Sequence, residues 1–250
     1  MDPKVSIIIP TISGRIELLQ KALSSIEKQT YKNIEIIVVR DDGSPTQKRN
    51  IGIERASGKY VAFLDDDDIC HPERIERQVE LAEKYPDVGF IICWIEDRRF
   101  GEPYIDKYKK VISHEEVLQL MRLSSTSSYF VRRDILKKLK GFDESLPTAQ
   151  EYEMAIRISA ETRHVLCVDQ ILVTQFKTPD QITKDWNKKI IGIKKIREKH
   201  KDLYKKLGFI KYLKMRVKFF GVITLFHIAN GIGEKIYSII IPVKRITGHG

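Results

Sequence analysis

An α/β fold, with a mostly parallel sheet sandwiched by helices, is predicted by three features of the sequence. Short, continuously apolar runs alternate with segments of helical spacing through the first hundred residues. The runs are rich in Val and Ile, and each ends in a proline, a turn or an acidic loop. Strands covered on both faces read as unbroken apolar runs, as parallel strands between helices must.

The elements follow in order. "KVSIIIP" is a β-branched run stopped by Pro10, and "RIELLQKALSSIEKQTY" spaces Ile16, Leu18, Leu19, Ala22, Leu23 and Ile26 as a helix does. "NIEIIVV" is a second strand, closed by the turn residues "DDGSP". "QKRNIGIERASG" reads as a helix stopped by Gly58, "KYVAFL" as a third strand, and "HPERIERQVELAEKY" as a helix with Pro72 in its first turn. "VGFIICWI" is a fourth strand. Beyond it, "SHEEVLQLMRL", "RRDILKKLKGF" and "AQEYEMAIRISAE" look helical, with strands expected at "TSSYFV", "HVLCV" and "ILVTQF". "TKDWNKKIIGIKKIREKHKDLYKKLG" reads as one long basic helix.

The net charge of +10 on 250 residues is unevenly placed. Residues 184–250 carry 17 Lys and Arg against 4 Asp and Glu, whereas residues 1–183 are slightly acidic. Two regions are therefore expected: a catalytic-type domain over 1–183 and a basic, amphipathic helical region over 184–250. The second region's charge predicts an anionic surface as its partner. Its apolar piece, Val217–Gly233, contains Lys218, His227, Asn230 and three glycines, a poor composition for a spanning helix. Interfacial contact with a membrane fits better, the alternative being a helix packed on protein. Nucleic acid is not expected, because no recognition module accompanies the basic residues. The three cysteines are scattered without a CxxC pair, which argues against a disulfide framework or zinc site. Met1–Pro10 lacks the pattern of a signal peptide. The expected location is the cytoplasm, peripheral on the inner face of the cell membrane.

In an open parallel sheet, ligands bind beyond the carboxyl ends of the strands. The first three strands end in "PTISGR", "RDDGS" and "DDDD". Four adjacent carboxylates repel one another and favour a cation between them. No GxGxxG follows the first strand and no GxxxxGK[ST] occurs, so the glycine-rich phosphate cradles are absent. A divalent cation can instead bridge carboxylates to a diphosphate, and hard oxygen donors suit Mg2+ or Mn2+. In an extended segment Asp65 and Asp67 would face one way and Asp66 and Asp68 the other. A calcium loop of the EF-hand kind is excluded by Cys70 where its glycine belongs. An acidic loop serving only solubility or helix capping is the plain alternative.

The blocks "VSIIIPT", "SIEKQTYKNIEIIVVRDDGS", "RNIGIERASGKYVAFLDDDD", "PERIERQ" and "GFDESLPTAQEYEMAIRI" resemble the successive motifs of glycosyltransferase family 2. The resemblance spans about residues 4–176 and implies the GT-A fold. It further implies inverting transfer of a sugar from a UDP- or GDP-linked donor to a hydroxyl acceptor, assisted by Mn2+ or Mg2+. Carried over by position, it implies that Pro10, Thr11 and Arg15 line the nucleotide pocket. Asp42, with Asp41 beside it, would contact the base, with Asn50 near the nucleotide and Arg49 near a phosphate. Asp65 and Asp67 match the DxD motif, with Asp66 between them and Asp67 the more direct metal ligand. Glu151 falls on the catalytic base.

An inverting transfer needs one carboxylate to take the acceptor's proton, and a metal to stabilise the departing diphosphate. From spacing alone, Thr148 and Glu151 also fit a helix capping box. The family more often has Asp at this place, which keeps Glu153 in reserve as base. Two other departures stand out: the segment between "DDGS" and "RNIGI" is short, and "VTQFKTPDQIT" lacks a histidine that many members carry. Lys177 could supply charge there, or simply be a solvated lysine. His71 and His164 read as structural or surface residues. The acceptor is expected to be a glycan or a lipid-linked molecule of the cell surface. The competing functions are a sugar nucleotidyltransferase, for which "PTISGR" is a poor first loop, and a membrane-associated interaction protein with a degenerate site.

Overall fold

The computed structural model describes residues 2–99, 102–120, 122–176, 178 and 186–232. Its centre is a sheet ordered β2-β1-β3-β8-β5-β9-β4, formed by β1 (Val5–Pro10), β2 (Ile34–Val39), β3 (Tyr60–Phe63), β4 (Asp68–Cys70), β5 (Phe90–Asp97), β8 (Phe130–Arg132) and β9 (His164–Gln175). Two short strands, β6 (Tyr104–Asp106) and β7 (Val111–Ser113), add to β5 and β9. β1 pairs parallel with β2 and β3, and β5 pairs parallel with β9. β8 lies antiparallel to both β3 and β5, so β1, β2, β3, β5 and β9 all run the same way. The mostly parallel sheet expected from the sequence is present, with β8 reversed at its centre and β4, β6 and β7 antiparallel to their neighbours.

Alternation along β1 divides the core. Ile7 and Ile9 face α1 (Ile16–Glu27) and α3 (Arg74–Lys84), in a cluster with Leu19, Ile26, Ile75 and Val79. Ile8 faces the opposite way, into the larger cluster shared with α2 (Pro45–Arg55), α4 (His114–Gln119), α5 (Arg133–Lys138) and α6 (Gln150–Thr162). Period-two side chains covered on both faces are what an unbroken apolar run requires. α2 starts with a capping box between Ser44 and Gln47, with Pro45 in its first turn. It presses so closely on β1 that a Cβ on Gly52 would come within 2.4 Å of Ile8.

Two expectations are corrected. "HVLCV" and "ILVTQF" are one strand, β9, whose pairing with β5 shifts register around Trp94. A bulge lets a strand continue past unpaired residues. The long basic helix is two helices, α7 (Trp186–Lys199) and α8 (Lys201–Lys205), broken at His200. α9 (Phe209–Ile232) follows Gly208, whose φ of +82° suits a glycine between helices. These helices share the main core: Ile193, Ile196, Tyr204, Leu207, Met215 and Phe219 are buried in the same cluster as Ile8 and Phe63.

Candidate active site

Pro10 of β1 pairs with Val39 of β2, and Ile8 with Phe63 of β3. The loops after all three strands therefore open on one edge, where open α/β sheets bind ligands. Asp65–Asp68 occupies that edge as a turn rather than an extended run, because the Asp68 N–H donates to Asp65 O at 3.1 Å. Asp66 and Asp68 are buried, while Asp65 and Asp67 are half-buried. Burial alternates along the run, but the turn departs from the extended alternation expected, and Asp66 and Asp67 share Arg15.

Each carboxylate has donors. Asp65 Oδ1 accepts from Arg49 Nη2 at 2.5 Å, and the Asp65 N–H donates to Ser127 Oγ at 3.0 Å. Asp66 accepts from Thr11 Oγ1 at 2.6 Å and Arg15 Nη1 at 2.5 Å. Asp67 Oδ2 accepts from Arg15 Nη2 at 3.2 Å and Thr178 Oγ1 at 3.1 Å. Asp68 Oδ2 accepts from Ser127 Oγ at 2.5 Å and Gln175 Nε2 at 2.8 Å. Burial pushes the Asp66 carboxyl up against the pull of Thr11 and Arg15, and burial plus the Asp65 charge push Asp67 up. Asp68 is raised to about 8, chiefly by burial and then by Asp65 and Asp67. Arg15 and Arg49 form ion pairs with three of the four carboxylates, Asp65, Asp66 and Asp67.

The remaining expected residues divide into two groups. Thr11 is close by: its carbonyl accepts from the buried Lys48 Nζ at 2.7 Å, beside Pro10. Asp42 is exposed on the loop after β2, lining an open groove of about 570 Å³ with Asn50, Arg55 and Glu144. Asp41 is exposed and held by Arg55 at 2.9 Å, which lowers its carboxyl. Asn50 is engaged elsewhere: its amide donates to Phe142 O and Glu144 Oε1 and accepts the Phe142 N–H at 2.7 Å. It ties α2 to the 141–144 loop. Lys177 lies outside the described residues. His71 Nε2 is 3.0 Å from Thr174 Oγ1, across the β4–β9 pair.

Glu151 stands in the first turn of α6. The capping box with Thr148 does not form: the N-cap is Ala149, at φ +60°, without a side-chain cap, and Thr148 Oγ1 donates to Lys188 O at 3.1 Å. The Glu151 carbonyl accepts from the Tyr129 hydroxyl at 3.1 Å. Glu153, the reserve base, is sealed from solvent and bound by Arg157, Lys199 and His200. A carboxylate so enclosed cannot reach an acceptor hydroxyl, so Glu153 is withdrawn as a base.

The family model of Glycosyl transferase family 2 matches residues 6–49 and 45–140. The chain belongs to that family. An uncharacterized glycosyltransferase of Methanocaldococcus jannaschii is 26% identical over 211 residues, covering 72% of each chain. Among solved structures, the S. aureus TarS 1–349 complex with UDP-GlcNAc superposes with a TM-score of 0.60 at 15% identity, over 71% of this chain and 60% of that one. The Pyrobaculum calidifontis mannosyltransferase complex with GDP-Man and Mn2+ gives 0.62 at 15% identity, over 99% and 76%. The fold of this family 2 glycosyltransferase is therefore the GT-A fold of those enzymes.

A divalent metal fits the donor set of this glycosyltransferase. Among the described residues no three His, Cys, Asp or Glu side chains form a metal-binding group. Mg2+, however, is commonly held by one or two carboxylates with substrate phosphates completing the shell. Asp65 and Asp67, half-buried on one turn, supply that number of hard oxygens.

Several site residues gave no sequence signal. Ser127 bridges Asp65 and Asp68 from a short 3-10 turn, Thr126–Ser128. Thr178 joins Asp67 and Arg15. Lys189, which read only as part of a basic helix, feels both Glu151 and Arg99. Burial and then Arg99 push its ammonium down to about 8, against the pull of Glu151.

Proposed function

We propose that this glycosyltransferase transfers a sugar, with inversion, from a UDP- or GDP-linked donor to a hydroxyl acceptor in cell-surface glycan, polysaccharide or glycolipid synthesis. Asp65 and Asp67 hold Mn2+ or Mg2+, which when bound neutralises the diphosphate leaving group. Arg15 and Arg49, already beside those carboxylates, add positive charge for the phosphates. Asp42 and Asp41 serve the base, Pro10 and Thr11 line the nucleotide pocket, and Asn50 shapes its far wall. Glu151 takes the proton of the acceptor hydroxyl.

One run of hydrogen bonds carries this reading. The Phe63 N–H donates to Tyr129 O at 3.3 Å, and the Tyr129 hydroxyl donates to Glu151 O at 3.1 Å. The start of α6 therefore hangs from the strand that leads into Asp65. This supports a common cleft for the carboxylate pair and the base. A thermal-shift series with UDP, GDP and their sugars tests it. A ligand that binds the native state raises its stability, so one nucleotide series should raise Tm with Mn2+ present. EDTA should abolish the rise, and a rise that survives EDTA would count against the metal bridge.

A second reading, contact of the C-terminal region with the inner face of the membrane, is favoured by α9. No described helix is long and apolar enough to cross a membrane. Phe209, Ile210, Leu213, Val217 and Phe220 are all exposed. At about 100° per residue they share one arc, edged by Arg216 and Lys214. The opposite side is spent on protein: Met215 and Phe219 are buried, and Phe219 meets Tyr204 edge-on at 5.8 Å. An apolar stripe flanked by cations suits anionic headgroups. The pair Leu213→Ser and Phe220→Ser should lose sedimentation with phosphatidylglycerol vesicles. Unchanged sedimentation would refute the contact.

A further inference from the structure

Glu153 is a full carboxylate with no exposed surface, two residues beyond Glu151 on α6. Arg157 Nε lies 2.9 Å from both its oxygens, and Arg157 Nη2 lies 2.8 Å from Oε2. Lys199 Nζ approaches Oε1 at 2.8 Å, and His200 Nε2 lies 3.1 Å from the same oxygen. Arg157 also donates to the carbonyls of Leu139 and Gly141, and Lys199 reaches Asp143 Oδ2 at 2.5 Å. The cluster therefore joins three pieces of chain: α6, the 139–143 loop, and the junction of α7 with α8.

The same loop is gripped along the rest of α7. Thr148 Oγ1 donates to Lys188 O, and Lys195 Nζ donates to Ser145 O at 3.1 Å. α7 lies so close that a Cβ on Gly192 would come within 2.8 Å of Thr148 O. Immediately after this contact the chain takes the left-handed turn at Ala149 and enters α6. Buried ion clusters are poor sources of net stability compared with apolar packing, but their directional contacts can fix one register. Here the register fixed is that of α7 against the segment that presents Glu151.

We propose that Glu153 is a positioning residue: through Lys199 and His200 it locks α7 onto α6, and so sets the aim of Glu151. This rests on Glu151 being the base. It makes the basic C-terminal helices part of the catalytic apparatus.

The test uses the full chain and the sugar nucleotide that raises Tm, at a temperature where circular dichroism shows every variant folded. Glu153→Gln and Lys199→Met should each lower kcat about ten- to a hundredfold, the scale set by small misplacements, with donor KM unchanged. Lys199→Arg, which keeps the ion pair, should restore kcat. The double variant Glu151→Gln with Glu153→Gln should be no slower than Glu151→Gln alone, because groups acting through one another are not additive. Wild-type kcat in the folded Glu153→Gln and Lys199→Met variants would overturn the proposal, as would full additivity in the double variant. Wild-type turnover by Glu151→Gln would instead remove the base assignment, and this inference with it. Should Glu153→Gln not fold, Lys199→Met and its arginine counterpart decide the matter.

Discussion

The Tyr129 hydroxyl donates to two carbonyls, that of Leu123 at 2.7 Å and that of Glu151 at 3.1 Å. Tyr129 is wholly buried, with its ring packed edge-on against Phe90 at 4.8 Å. One side chain thus fixes the entrance to α6 from within the core. Tyr129→Phe keeps the ring and removes the hydroxyl donor from the Leu123 carbonyl, while the Glu151 carbonyl keeps its intrahelical bond in α6. Leaving a buried acceptor unpaired costs about 1–3 kcal/mol. Thermal or urea unfolding should show that loss, and kcat should fall more than donor affinity.

Arg15 stands between two carboxylates, and Asp66 beneath it is almost fully enclosed. Removing one partner of a buried pair leaves a charge that costs about 3 kcal/mol or more. Arg15→Ala should therefore destabilise by about that amount. Asp66→Asn in the same background should recover a large part of it. Simple additivity of the two losses in denaturant unfolding would contradict the pairing.

Asp67→Asn removes one of the two proposed metal oxygens and leaves the contact with Thr178 available. The Mn2+-dependent part of the Tm rise on adding the nucleotide sugar should disappear. Asp41→Asn, which alters an exposed carboxylate paired with Arg55, should keep that metal dependence. Loss in both variants, or in neither, would contradict the division of roles.

The acid limb of stability has a defined sign. Burial raises Glu153, but His200, Arg157 and Lys199 outweigh it and hold the carboxyl at about 2, below its usual 4.5. Asp143, helped by Lys199 and Ser145 against burial, is also held at about 2. Both groups are depressed in the folded state. Their contribution is complete above the ordinary carboxylate range and is lost as pH falls from about 4.5 towards 2. A tenfold change in a proton's affinity corresponds to about 1.4 kcal/mol, so Glu153 contributes on the order of 3 kcal/mol. Lys199→Met should flatten the fall in unfolding free energy between pH 4.5 and 2.

The fold was readable because β1 and β3 are buried on both faces and β1, β2 and β5 carry runs rich in Val and Ile. The reversed strand β8 was less so, since it has three residues and its direction depends on neighbours far away in sequence. β9 looked like two strands because "DQ" interrupts its apolar pattern at the register shift. The acidic turn announced itself through four like charges. Its partners did not: Thr178 meets Asp67 from 111 residues away, and no local spacing encodes that. Glu153 entered from the sequence only as a reserve base, and its pairing with Arg157, four residues on, is seen in the fold. Only the tertiary fold reveals that Lys199 and His200 close over them.

Turnover by Glu151→Gln tests the central assignment most directly. With the sugar nucleotide that raises Tm in the presence of Mn2+, release of nucleoside diphosphate should fall about a hundred- to ten-thousandfold, the range of general base catalysis. The Tm rise on donor binding should be unchanged. Release within a few fold of wild type, with the same donor affinity, would contradict Glu151 as the base.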